Sequence, residues 1–344
     1  MTDNLEKART VLVLGATGGI GGAVARGLSQ RGWKVRALNR NIAKAAQKAP
    51  AYEWVEGDAM KRLDVRAAAE GVELIVHAVN PPGYRNWGKL VLPMLDNTIA
   101  AAKAEGARIL LPGTIYNFGQ DAFPLLTEDS PQNPHTDKGM IRKEMELRLK
   151  AASDAGVGVI ILRAGDFFGP DAANNWFSQG LVKPGKPLTA ISYPGKKGVA
   201  HQWAYLPDVA ETMIRLVERA EDLPAFAVYH MGGFVDDDGT KMIAAIRRAA
   251  GQQRLPARAF PWWLVTLASP FVPLFRELRK MRYLWRQPLR MPNNRLLDLL
   301  GEEPRTPIDE AVAKTLKALG CLPQSAGQIG AGEGLTPAKM AISS

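Results

Sequence analysis

The residues best suited to chemistry lie near the start of the chain, in Gly15-Ala16-Thr17-Gly18-Gly19-Ile20-Gly21. They follow the apolar run Val11–Leu14 and lead into a helical pattern over Ala23–Gln30. That context predicts a strand, a glycine turn and a helix. A helix start presents unpaired N–H groups and a partial positive charge, so it suits a pyrophosphate. Glycine is needed where a side chain would block the backbone's approach to phosphate, and where helix must lie close to sheet. Gly15, Thr17, Gly18, Gly19, Ile20 and Gly21 are the candidate phosphate-binding residues; a turn with a purely structural role is the alternative.

The second strand ends Val35-Arg36-Ala37-Leu38-Asn39-Arg40. Dinucleotide-binding sheets often carry an acid here, about 20 residues after the glycines, to bind the ribose 2′-hydroxyl. This chain has none. Asn39 and Arg40 stand where an adenosine 2′-phosphate would lie, and a guanidinium binds phosphate through two hydrogen bonds. The sequence points to NADP rather than NAD, with a solvent-facing Arg40 as the alternative. Gly57-Asp58-Ala59 follows the third strand. Asp58 either accepts from the adenine amino group or caps the next helix. The fourth strand runs into His77-Ala78-Val79-Asn80-Pro81-Pro82-Gly83. This is a stiff loop in which Ala78, Val79 and Asn80 can lie against the nicotinamide ribose.

The elements that must hold these residues follow a regular rhythm. Strands are predicted over 11–14, 34–38, 52–56, 74–77, 107–111 and 157–163, with helices between most of them, clearest over 90–105 and 137–155. The alternation predicts an α/β fold, a doubly wound parallel sheet with helices on both faces and ligands at the carboxyl ends of the strands. After Phe168-Gly169-Pro170 the rhythm breaks. Residues 171–204 read as loops with short strands, 205–220 as a helix opened by Pro207 and Asp208, and 225–230 as one more strand. We expect a dinucleotide-binding domain over 1–170, to which 205–232 returns. A smaller C-terminal substrate domain takes 171–204 and 233–323, and a flexible Gly- and Ser-rich tail takes 324–344.

Composition narrows the classes. The chain has 344 residues, 46% apolar and 23% charged, as in an ordinary globular protein. One cysteine, Cys321, forbids an intrachain disulfide, and the first residues lack the apolar core of a signal peptide. Both fit a cytoplasmic protein. The uncharged run Ala259–Phe275 carries Pro261, Pro270 and Pro273 and is short for a membrane span. The net charge of +10 favours anionic partners, and much of it lies between Arg254 and Arg295, where Glu277 is the only acid. No zinc-ligand spacing or nucleic-acid-binding signature accompanies it, so neither a metal nor a nucleic acid is expected.

Several segments, in order, resemble the short-chain dehydrogenase/reductase superfamily in its extended or atypical branch, which includes nucleotide-sugar epimerases and dehydratases. They are Gly15, Gly18 and Gly21; Gly57-Asp58; Val76-His77-Ala78; Gly113-Thr114-Ile115-Tyr116-Asn117-Phe118-Gly119; Arg163-Ala164-Gly165-Asp166-Phe167-Phe168-Gly169-Pro170; and Tyr205-Leu206-Pro207-Asp208-Val209-Ala210. The resemblance covers roughly residues 10–320. It implies a catalytic Thr114, a cofactor contact at Ala164, and dimerisation through the helices 90–105 and 137–155.

One element departs. The family's Tyr-x-x-x-Lys, in which Tyr moves the carbonyl proton and Lys holds the ribose, has no counterpart in Asp137-Lys138-Gly139-Met140-Ile141-Arg142-Lys143-Glu144-Met145-Glu146. Aligning on Glu146 puts Lys138 at the Tyr position and Arg142 at the Lys position; a shift by one gives Gly139 and Lys143. Lys138 and Arg142 share a helix face, and Glu146 is placed to compensate them. Arg142 can hold a ribose. Lys138 can move a proton if burial and Arg142 depress its pKa. Both are otherwise a surface basic face. Tyr116, His135 and Tyr84 are possible replacement acids.

The late block Pro261-Trp262-Trp263-Leu264, Phe271–Phe275 and Met281-Arg282-Tyr283-Leu284-Trp285 allows three readings. It is an aromatic substrate wall with Arg282 and Arg286 for an anionic group, a helical core with a basic rim, or a peripheral membrane contact. Together these features point to an NADP(H)-binding oxidoreductase or epimerase/dehydratase-like enzyme acting on a small carbonyl or alcohol, a nucleotide sugar among the options. The alternative is a regulator that senses NADP without turnover.

Overall fold

The computed structural model describes residues 8–81, 87–172 and 175–322. Tyr84 and the expected tail lie outside these residues. The chain runs β1 (Thr10–Leu14), α1 (Gly19–Gln30), β2 (Lys34–Asn39), α2 (Ile42–Lys48), β3 (Glu53–Glu56), α3 (Arg62–Ala68), β4 (Leu74–His77), α4 (Trp87–Glu105), β5 (Arg108–Pro112), α5 (Asp137–Asp154) and β6 (Val159–Arg163). There follow β7 (Asp166–Phe168), β8 (Ile191–Tyr193), β9 (His201–Tyr205), α6 (Leu206–Glu218) and β10 (Phe226–His230). The remainder is β11 (Phe234–Asp236), α7 (Lys241–Ala249), β12 (Ala257–Ala259), α8 (Trp262–Ala268), α9 (Pro273–Lys280), α10 (Asn294–Leu300) and α11 (Ile308–Ala318).

Seven strands form one sheet in the order β3-β2-β1-β4-β5-β6-β10. Every pairing is parallel. Side chains alternate between the faces of each strand. Val11 and Val13 of β1 pack with Val24 and Leu28 of α1 and Val209 and Met213 of α6 on one face. Leu12 and Leu14 pack with Val65 of α3, Leu95 of α4 and Met145 and Leu149 of α5 on the other. This is a doubly wound α/β sheet, buried on both sides, and each fully covered aliphatic side chain contributes about 1.5–3 kcal/mol. The strand order reverses between β1 and β4, where such sheets open a crevice for ligands.

The rest packs on the carboxyl-end side around its own core. A three-stranded sheet β11-β9-β7 and a pair β12-β8 enclose Phe168, Phe177, Trp203, Tyr205, Trp262 and Trp285. The segment read as loops with short strands also holds one wide helical turn, Phe177–Leu181, closed by Val182 N–H donating to Phe177 O at 3.2 Å. Asp208, expected to favour the start of α6, accepts from the N–H and hydroxyl of Thr306, both at 2.7 Å. It stands in the first turn of α6, as expected, and also fastens the approach to α11.

Candidate functional site

A cleft of about 690 Å³ runs along the carboxyl ends of β1, β2, β4 and β5. Its first wall is the glycine turn. Gly15 has φ +96°, and a Cβ there would lie 2.6 Å from Ala78 O. A Cβ at Gly19 would lie 2.9 Å from Asp171 O. Gly18 N–H donates to Gly15 O at 2.9 Å, and Gly18 stands at the N-cap of α1 with no side chain to cap it. Gly15, Thr17, Gly18, Gly19 and Ile20 line the cleft. Gly21 does not; a Cβ there would meet Gly15 O at 2.4 Å, so this glycine lets α1 lie against the turn. Helix-start N–H groups beside Gly15, Gly18 and Gly19, which carry no side chains, suit a dinucleotide pyrophosphate, and the residues present fit that group.

Asn39 and Arg40 line the next part, with Asn39 Oδ1 accepting from Asn41 N–H at 2.8 Å and Arg40 exposed. Asp58 and Ala59 lie opposite. Asp58 Oδ1 accepts from Met60 N–H at 3.0 Å, so its carboxylate closes the turn before α3 and also faces the cleft. Ala78, Val79 and Asn80 line the far side of the glycine turn, and Asn80 is fixed by Trp87 Nε1 donating to its Oδ1 at 2.8 Å.

The cleft is also lined by Thr114, Tyr116, Arg142, Ala164 and His77. Thr114 Oγ1 accepts from Tyr116 N–H at 3.4 Å. The Arg142 guanidinium lies 5.2 Å from the Trp87 ring centre, a cation–π distance. His77 was not among the predicted residues; its place at the end of a cleft-facing strand was the available signal. Its Nδ1 is 2.8 Å from Thr98 Oγ1, whose own proton goes to Met94 O at 3.1 Å. Thr98 is therefore the acceptor, and His77 carries its proton on Nδ1. Burial, aided by Arg142, pushes His77 down to about 3, so it is neutral at pH 7.

Lys138 lies elsewhere. It is buried and does not line the cleft; its Nζ is 3.6 Å from Glu277 Oε2 on α9. Burial lowers its pKa, Glu277 opposes this and Lys280 adds to it. Arg142 is not the cause expected from the helix spacing. Glu146 does not compensate Lys138 or Arg142 either. It turns to Arg163, with Oε2 2.6 Å from Nη2 and Oε1 3.0 Å from Nε. Arg163 in turn meets His230 Nε2 at 3.0 Å. His135 faces Tyr283, ring centres 4.5 Å apart, and is not a cleft residue.

Beyond Thr114 the cleft is closed by Asp166, Phe167, Asn175, Trp176, Gln179, Phe260 and Leu278. Asp166 Oδ2 is 2.9 Å from His201 Nε2, and the His201 ring stacks on Trp285 at 3.7 Å, which in turn packs on Trp176 at 5.3 Å. The late aromatic block is not the wall itself. Trp262 and Trp285 belong to the small core, Trp263 faces outward, and Arg282 lies 5.1 Å over Trp262. Phe260 and Leu278 are that region's members in the cleft. Among the described residues no group of three or more His, Cys, Asp or Glu could hold a metal ion.

Residues 11–232 match the model of the NAD dependent epimerase/dehydratase family. The chain belongs to that family. A 3-diazoavenalumate denitrifying reductase from Streptomyces is 32% identical over 177 residues, 46% of this chain and 57% of that protein. A 2-alkyl-3-oxoalkanoate reductase from Stenotrophomonas maltophilia is 29% identical over 175 residues, 46% of this chain and 51% of that protein. The chain thus spans a little over half the length of these relatives. UDP-glucose 4-epimerase from Bifidobacterium longum, solved with NAD+ and UDP, superposes with a TM-score of 0.67 at 15% identity, over 90% of this chain and 97% of that one. The Bordetella bronchiseptica enzyme WbmH, solved with NAD+, gives 0.66 at 17% identity, over 91% and 98%. At these identities the two structures establish the fold.

The start of α5 leaves no room for a side chain at position 139. A Cβ at Gly139 would lie 2.4 Å from Tyr116 O and 2.5 Å from Pro134 Cβ. Position 138 is taken by the lysine that pairs with Glu277.

Proposed function

We propose that this protein is an NADP(H)-dependent oxidoreductase or epimerase/dehydratase-like enzyme acting on an uncharged carbonyl or alcohol. The carrying observation is that Thr114, Tyr116 and Arg142 line the same cleft as Gly15, Gly18 and Arg40. Gly15 to Ile20 hold the pyrophosphate, Arg40 the 2′-phosphate, Asp58 the adenine side, and Arg142 the nicotinamide ribose. The bound cofactor supplies or takes up the hydride. Thr114 donates a hydrogen bond to the substrate oxygen as charge develops on it. Tyr116 moves the proton in place of the absent helix tyrosine, since it faces the cleft and Lys138 and His135 do not.

The substrate end favours a neutral, partly apolar molecule. Among the described lining residues the cations are Arg40 and Arg142, both on the dinucleotide side, while Trp176, Phe260 and Leu278 are apolar and Asn175 and Gln179 offer amides. A nucleotide sugar would bring a second diphosphate, with no cation at that end to meet it. The names of the two reductase relatives agree with carbonyl reduction. Loss of NADPH absorbance with a panel of neutral ketones and aldehydes tests the reading. The second reading, a cofactor sensor without turnover, rests on the absent helix tyrosine. Tight NADPH binding with no oxidation on any carbonyl would establish it.

A further inference from the structure

Among the described residues, the segment from α8 to α9 carries several exposed large apolar side chains. Trp263 is 68% exposed, Leu267 69% and Phe271 85%. Leu264 and Val272 are also exposed. Trp263 and Leu267 are one turn apart on α8, and Phe271 follows in the turn toward α9, so they project together. A contiguous patch of this kind marks a contact site more often than chance exposure does.

The surroundings are rich in cations, of which Lys280, Arg290 and Arg295 pair with Asp137, Asp237 and Asp129. Between residues 254 and 295 the chain has nine arginines and lysines and one acid, Glu277. That acid is bound to Lys138 and Lys280. Arg276 holds the turn, its Nη2 donating to Pro270 O at 3.3 Å, with an exposed side chain. Arg258, Arg279 and Arg286 are exposed, and Arg286 lies close enough to Arg282 to lower its pKa, after burial. A second copy of this chain would bring these arginines against their equivalents, because a twofold contact pairs a patch with itself. An apolar tip with tryptophan and phenylalanine above an arginine collar instead matches the acyl boundary and headgroups of an anionic bilayer.

We propose that the α8–α9 hairpin is a monotopic membrane contact: Trp263, Leu267 and Phe271 enter the interface of an anionic lipid surface and the neighbouring arginines bind its headgroups. The contact stands independently of the proposed reaction. It also has a bearing on access to the cleft, since Phe260 just before α8 and Leu278 of α9 line it.

The test is sedimentation of the full chain with phosphatidylcholine vesicles, with and without phosphatidylglycerol, at low and high salt. The expected result is binding that needs phosphatidylglycerol, weakens with salt, and falls by about tenfold or more in Trp263→Glu/Phe271→Glu, with NADPH affinity unchanged as the check on folding. Trp263→Phe should still bind while losing most of the tryptophan quenching that brominated lipids cause in the parent. Three results would overturn the proposal: no sedimentation of the parent with phosphatidylglycerol vesicles at low salt, equal sedimentation of the double glutamate variant, or self-association in lipid-free ultracentrifugation that the same double variant abolishes.

Discussion

Lys138 Nζ lies 3.6 Å from Glu277 Oε2, so this buried lysine joins α5 to α9. The pair is a strut between the sheet and the small core. Lys138→Met should therefore leave NADPH oxidation within about threefold of the parent while lowering the unfolding midpoint, because Glu277 loses one of its two partners. Steady-state rates and thermal denaturation measure the two effects separately; abolished turnover in a folded variant would return the proton to Lys138.

Tyr116→Phe removes one hydroxyl from the cleft. The expected outcome is a fall in kcat of about 10²- to 10⁴-fold with NADPH affinity unchanged. Isothermal titration alongside kinetics distinguishes this from loss of the cofactor site.

Arg40→Ala should weaken NADPH by about ten- to a hundredfold, equivalent to roughly 1.5–3 kcal/mol, and leave NADH nearly unchanged. Competition titration with both cofactors reads the ratio directly. An unaltered ratio would mean that Arg40 faces solvent without a phosphate partner.

Gly15→Ala should abolish cofactor binding or folding, since the new Cβ would lie 2.6 Å from Ala78 O at a φ of +96°. Gly32→Ala is the control. It shares a positive φ, but nothing lies within 4 Å of its Cβ, so only the modest backbone cost remains. Expression level, circular dichroism and NADPH titration compare the two.

Two buried histidines set an acid limit. Burial first, then Arg142 for His77 and Arg163 for His230, push both from 6.5 down to about 3. The folded chain keeps them neutral, while the unfolded chain takes up protons below about 6.5. Their contribution is complete above that pH and shrinks as pH falls toward 3. Denaturant midpoints should drop between pH ~7 and ~4.5, by on the order of several kcal/mol in stability. His77→Gln should flatten that slope even if its absolute stability differs.

The glycine cradle and the strand ends were legible because their determinants are local. A φ of +96° at Gly15 and the continuous apolar run of β1 are properties of a few adjacent residues. Asn39, Arg40, Asp58 and Asn80 follow from strand ends, which is where the cleft runs. The partners on α5 were not legible. Helix spacing puts Glu146 one turn from Arg142, yet a carboxylate goes where burial and a second charge lead it, and Arg163 on β6 supplied both. Glu277 is distant in sequence from Lys138, and no local pattern announces such a meeting. The Trp-rich block was ambiguous for a related reason. Trp262 and Trp263 are neighbours of one type, one buried at 8% and one exposed at 68%, and only the direction of α8 decides between them.

The edge strand β10 pairs with β6 only after the chain has passed through β7, β8 and β9. The two layers are therefore interleaved in sequence, like laced fingers rather than beads on a string. A fragment ending before residue 226 would display the backbone donors and acceptors of β6 as an open edge, inviting intermolecular pairing. Recombination with a relative must consequently exchange the excursion between β6 and β10 as an insert, with both of its ends rejoined to the same sheet.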